Sequence, residues 1–74
     1  MADHTYVLNE IVGTSTESMN DAITNGIRRA SQTLRHLDWF EVVEVRGAIS
    51  EGEISYFQVT MKVGLRLEDR DERA

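Results

Sequence analysis

The chain has 74 residues, 13 acidic against 8 basic side chains, a net charge of −5 and no cysteine. That length allows one domain around one small core, and the missing thiols exclude disulfides and thiolate zinc sites. The acidic balance argues against a nucleic-acid partner, which would need a basic face. His4 and His36 lie too far apart in sequence for a ligand pair, so no metal site is expected. No apolar run approaches the roughly 20 residues that cross a bilayer. The opening "MADHTYVLNE" has neither the basic nor the apolar region of a signal peptide, so a cytoplasmic protein without membrane partners is expected.

Thr5 to Val12 read as a first strand, closed by Gly13. The following "GTSTES" carries helix-start chemistry: Thr14 and Glu17 have capping-box spacing, with Ser15 a competing N-cap. Met19, Ala22, Ile23, Gly26, Ile27, Ala30, Leu34 and Leu37 then recur every three or four residues, which predicts one apolar helical face. Gly26 on that stripe leaves room for a strand backbone to approach. Trp39 to Ile49 read as a second strand. Its apolar phase slips between Phe40/Val42 and Val43/Val45, which predicts a bulge near the tryptophan. "SEGE" supplies a four-residue hairpin turn with Gly52 available for positive φ. From Ile54 to Leu67 the alternation is clean. Phe57, Val59, Met61, Val63, Leu65 and Leu67 take one side; Tyr56, Gln58, Thr60, Lys62, Gly64 and Arg66 take the other.

These elements give an α+β chain of order β-α-β-β. The hairpin makes the last two strands antiparallel, and a right-handed crossover makes the first two parallel. The third strand then belongs in the middle of a three-stranded sheet whose apolar face wraps the single helix. One helix is narrower than three strands, and a core this small has to offset an ordering entropy of about 1.5 kcal/mol per residue. An obligate homo-oligomer is therefore expected. Residues 1–69 form the single domain; residues 70–74 read as a charged, disordered tail.

No catalytic constellation stands out: the serines lack a nucleophile-elbow context and no glycine loop could cradle a phosphate. The Thr/Ser-rich turn is most simply an ordinary cap. Glu41 and Glu44 would occupy opposite faces of a regular strand unless a bulge changes the phase. Trp39 has two readings, a core plug or an accessible platform. On the platform reading it shares a strand with Arg46, and Gln58 lies on the outward phase of the next strand. A ring for stacking, an amide that both donates and accepts, and a guanidinium for a phosphate suit a flat heteroaromatic ligand with an anionic tail.

At this point the chain resembles the dodecins, small flavin-binding proteins that assemble as a hollow homododecamer. The resemblance rests on "EIVGTS" (Glu10 to Ser15), "RHLDWFEV" (Arg35 to Val42), "VRG" (Val45 to Gly47), "FQVTMKVG" (Phe57 to Gly64) and "RLED" (Arg66 to Asp69). It implies the same β-α-β-β fold, with pockets on two-fold axes that each hold two flavins between two symmetry-related tryptophans. It further implies Trp39 as the stacking residue and Gln58 as the partner of the isoalloxazine edge. Arg46 matches an arginine of bacterial-type members that would favour FMN through its phosphate. Val45, Asp38 and Tyr6 complete the implied pocket. Bacterial-type members can also hold coenzyme A near the pocket mouth, where Arg29, Thr33, Arg35, Arg66, His4 and Tyr6 occupy comparable positions.

The function the resemblance implies is storage and buffering of FMN or riboflavin with quenching of their photochemistry, without catalysis. Two other classes stand beside it: a flavin-dependent electron carrier or oxidoreductase, and a purely structural oligomer module.

Overall fold

The computed structural model describes residues 3–68. Residues 70–74, read as a disordered tail, lie outside this range, as do residues 1, 2 and 69 of the expected domain. Along the chain run β1 (Tyr6–Ser15), α1 (Met19–Ala30), β2 (Leu37–Ser50) and β3 (Glu53–Arg66). The sheet has the order β1-β3-β2, with β3 antiparallel to both neighbours, as the alternation and the crossover rule predict.

Local boundaries differ from the sequence reading in ways that have physical causes. Gly13 does not close β1. The strand runs on to Ser15, and Gly13 is where it touches the helix: a Cβ there would collide with the carbonyl oxygen of Ala22 and lie 3.2 Å from the Gly26 Cα. Gly26 answers from the other side, since its own Cβ would stand 3.1 Å from the Gly13 Cα and 2.8 Å from Met61 Cε. Two glycines thus let strand and helix backbones meet. Thr14 and Glu17 make no capping box, because Thr14 is spent in the strand. Ser18 is the N-cap, accepting from the Asp21 amide at 3.0 Å. Ser15, also proposed as a cap, is buried and supports the turn instead: its hydroxyl donates to Asp21 Oδ2 at 2.8 Å and accepts from the Glu17 amide at 2.8 Å.

The helix ends at Ala30, so Leu34 and Leu37 do not continue its apolar face. The Thr33 and Leu34 amides both donate back to the Ala30 carbonyl, at 3.1 and 2.8 Å, which tightens the last turn, and Leu37 opens β2. The hairpin turn is as expected, with Ser50 paired to Glu53 and Gly52 at φ 77°; Glu51 also takes positive φ, 53°. Positive φ at both central residues matches the right-handed twist of the strands.

The core lies between α1 and the β1–β3 half of the sheet. Val59, Met61 and Val63 on β3 and Ala22 on α1 are fully buried, flanked by Ile11, Ile23, Ile27 and Phe57. Each fully buried Val or Met side chain contributes about 1.5–3 kcal/mol. The helix packs on β1 and β3 and gives β2 no comparable cover. Phe40, Val42 and Val45 stay nearly half exposed on the same side of the sheet. An apolar strand face left open in this way marks a contact surface.

Candidate functional site

Trp39 pairs with Gly64 across the sheet, and that pairing decides how the ring lies. A Cβ built on Gly64 would stand 2.5 Å from Cζ2 and 2.8 Å from Cδ2 of Trp39, and closer still to Cε2, which is bonded to both. Cε2 is a ring-fusion carbon with no free edge, so such a point can only lie over the face of the indole. The ring therefore rests flat on the Gly64 backbone with its other face outward, and the residue is 41% exposed. The ring thus lies accessible on the sheet, outside the buried cluster of Ala22, Val59 and Met61. Gly64 was not singled out in the sequence. The available signal was a glycine interrupting an otherwise clean alternating strand, which often marks a close approach.

Two further residues fix the ring. Tyr6 meets it edge-on, with ring centroids 5.7 Å apart and planes at 66°. The Tyr6 hydroxyl donates to Asp38 Oδ2 at 3.2 Å, tying β1 to the residue beside the tryptophan. Partial burial, then the hydrogen bond and the charge of Asp38, raise the Tyr6 phenol above its ordinary value, while Arg66 opposes them. Trp39, Tyr6, Asp38 and Gly64 thus form one platform at one end of the sheet. His4 extends it, its ring 6.4 Å from that of Tyr6.

Gln58 belongs to the other end. It pairs with Thr14 on β1 and Arg46 on β2, so the row Thr14–Gln58–Arg46 crosses the outer face of the sheet. It also lines an open groove of ≈ 460 Å³ with Val12, Thr14, Ser15, Thr16 and Tyr56. Arg46 donates to Glu44 Oε2 at 2.8 Å, and that hydrogen bond and charge raise its pKa. The register shift at Val42/Glu44 makes Val43 an extra residue in β2. In consequence Trp39, Glu41, Glu44 and Arg46 all stand opposite outer-face residues of β3, and Glu41 and Glu44 share a face after all. Gly64 and Gln58 are six positions apart on β3. At about 3.3 Å per residue that separates them by roughly 20 Å. One chain does not bring Trp39 and Gln58 to the same ligand.

The remaining candidates divide. Val45 pairs with the buried Val59, on the side of the sheet opposite to Gln58 and Arg46. Arg29 donates to Thr33 Oγ1 at 3.1 Å just beyond the helix. Thr33, Arg35 and Arg66 line an open cleft of ≈ 480 Å³ with His36 and Glu68. There Glu68 Oε2 accepts from Arg35 at 3.2 Å and lies 2.8 Å from His36 Nε2; these contacts, His36 first, hold its carboxyl below the usual range. Among the described residues no group of three or more acidic or histidine side chains could hold a metal ion, and no helix is long and apolar enough to cross a membrane.

The fold thus presents a flat aromatic platform on an open sheet, next to an uncovered apolar strand. Comparison with known proteins gives the family. The dodecin family model matches residues 5–68. A dodecin of Thermus thermophilus is 53% identical over 60 residues, covering 81% of this chain and 87% of the relative. Among solved structures, dodecin from Streptomyces davaonensis superposes with a TM-score of 0.87 at 62% identity, over 92% of this chain and 100% of that one. Dodecin from Streptomyces coelicolor gives 0.86 at 52% identity, over 93% and 99%. The chain belongs to the dodecin family. Members of this family are small oligomeric flavin-binding proteins, not enzymes.

Proposed function

We propose that this protein stores and buffers FMN or riboflavin, held as stacked pairs between the Trp39 rings of two copies, and quenches their photochemistry. The observation that carries the reading is the indole lying flat on Gly64 with its outer face free. A ring held in that pose stacks on an isoalloxazine without reorganising. Gln58 supplies an amide for the polar flavin edge, and the roughly 20 Å along β3 means that it serves a ring stacked on another copy's tryptophan. Arg46 stands beside Gln58 in the register, where its guanidinium suits the phosphate of FMN. Its pair with Glu44 is solvent-exposed and therefore weak, so a phosphate displaces it readily. The uncovered face of β2 supports closure of copies into a homododecamer. At the cleft of Thr33, Arg35 and Arg66 the guanidiniums are the support for coenzyme A, and Glu68 is the charge that its phosphates displace.

The indole also supplies chemistry. Stacked on a photoexcited flavin it donates an electron, and rapid return of that electron discharges the excitation as heat. The test is a titration of FMN with protein, followed by flavin emission. Emission should fall to near darkness, with an endpoint of about one flavin per chain, since a two-fold site takes equal shares from both copies. FMN that binds and stays bright, or does not bind at all, removes the reading.

A further inference from the structure

We infer that Gly64 is the gauge of the flavin slot: by having no side chain it sets the depth at which Trp39 lies, and so the number of flavins that fit. The inference rests on the reading of Trp39 as the stacking wall. The three heavy atoms nearest to a Cβ on Gly64 all belong to the Trp39 indole, so that ring is what a side chain there would have to move. The nearest atom lies within the distance that real Cβ atoms essentially never show, and the next two stand at 2.5 and 2.8 Å. Restoring carbon–carbon contact near 3.5 Å lifts the ring by about 1 Å. The underside of the indole has no other place to go, because the sheet backbone is its floor and Tyr6 closes one edge.

In a slot between two such rings the displacement counts twice. Two flavins between two indoles need three layer spacings, roughly 10.5 Å at 3.5 Å each. Lifting both walls leaves about 8.5 Å, too thin for two flavins and sufficient for one, which needs about 7 Å. Gly64 is thus a positioning residue that acts through Trp39 and touches no flavin itself.

Gly64→Ala tests this at two levels. Without ligand, Trp39 is the only tryptophan, so intrinsic fluorescence and its quenching by acrylamide report the ring directly. Both should change in Gly64→Ala, and an unchanged indole signal overturns the seating. With FMN, the endpoint should fall from about one flavin per chain toward one per two chains. An indole that moves while the endpoint stays at the wild-type value overturns the gauge. Should wild-type protein bind no flavin, the proposed function falls, and the ligand-free signal still decides whether Gly64 seats the ring. If Gly64→Ala does not assemble, the double variant Gly64→Ala/Trp39→Leu decides. Assembly restored by removing the ring supports the seating, and continued failure overturns it.

Discussion

The two ends of the outer sheet face are built differently. At the Trp39 end the chain braces its own ring: Gly64 lies beneath it, Tyr6 at its edge, and Asp38 holds Tyr6. At the Gln58 end the half-buried Gln58 lines an open groove, and among the described residues Arg46 pairs only with its neighbour Glu44. One end is a braced aromatic surface. The other is a set of polar groups beside an open groove. The difference teaches that a 74-residue chain can carry the two halves of the proposed flavin site at opposite ends of one sheet, to be joined by a second copy on that proposal.

The largest effect should come from breaking the braced end. Trp39→Ala removes both the stacking surface and the electron donor, at a cost of about 1–3 kcal/mol per stacked ring by analogy with bases on aromatic side chains. FMN affinity should fall by about 5- to 150-fold, and any flavin still bound should regain emission and bleach in light like free flavin. A variant that binds and quenches as the wild type does would return Trp39 to the role of packing residue.

The next test asks whether the two ends really serve one ligand from different chains. Gln58→Leu leaves flavin polar groups without a partner and should cost about 1–3 kcal/mol. Co-expression of Trp39→Ala chains with Gln58→Leu chains then sharpens the comparison. In a mixed two-fold pocket one of the two flavin places receives an intact Trp39 and an intact Gln58 from opposite chains. Mixed assemblies should therefore recover a fraction of sites of wild-type affinity, measured by titration with FMN, while neither homomeric variant has any. If mixing recovers no site, the ends do not complement each other.

The smallest effect concerns the brace of the platform. The Tyr6 phenol is raised by partial burial and by Asp38, so its hydrogen bond is complete below the ordinary phenol range. It is lost as pH rises through the raised value, above the ordinary phenol range. Phenolate and carboxylate then repel, and Tyr6 no longer braces the indole. Asp38→Asn removes the charge and should bring the phenol down toward its ordinary value, readable as phenolate absorption. Identical titration curves for the two proteins would separate Asp38 from Tyr6.

Much of this is legible in the amino-acid sequence, and for definite reasons. The alternation from Ile54 onward gives β3 and its two faces, because a central strand in contact with both neighbours and one helix has little freedom of phase. Trp39, Gln58 and Arg46 were visible as a chemical set. Their distribution over two ends was not, since that depends on the pairing of Trp39 with Gly64 and on Val43 being an extra residue. Helix limits failed where tertiary contact outweighs local pattern. Thr14 has good capping spacing, but sheet pairing with Gln58 claims it, and Leu34 keeps the apolar rhythm beyond the point where the helix has tightened and stopped.

The ladders on the two sides of β3 also differ. β1 pairs with it through ten consecutive residues without a shift, whereas β2 is interrupted at Leu37/Trp39, Val42/Glu44 and Ala48/Ile49. Both are edge strands in a lone chain. An irregular edge is a poor template for a foreign strand, while a long, straight edge with half-exposed Val7, Leu8 and Val12 is a good one. The hazard of uncontrolled strand addition is therefore lopsided: the surface that most needs shielding in a newly made, still solitary chain is the smooth margin along Tyr6 to Ser15.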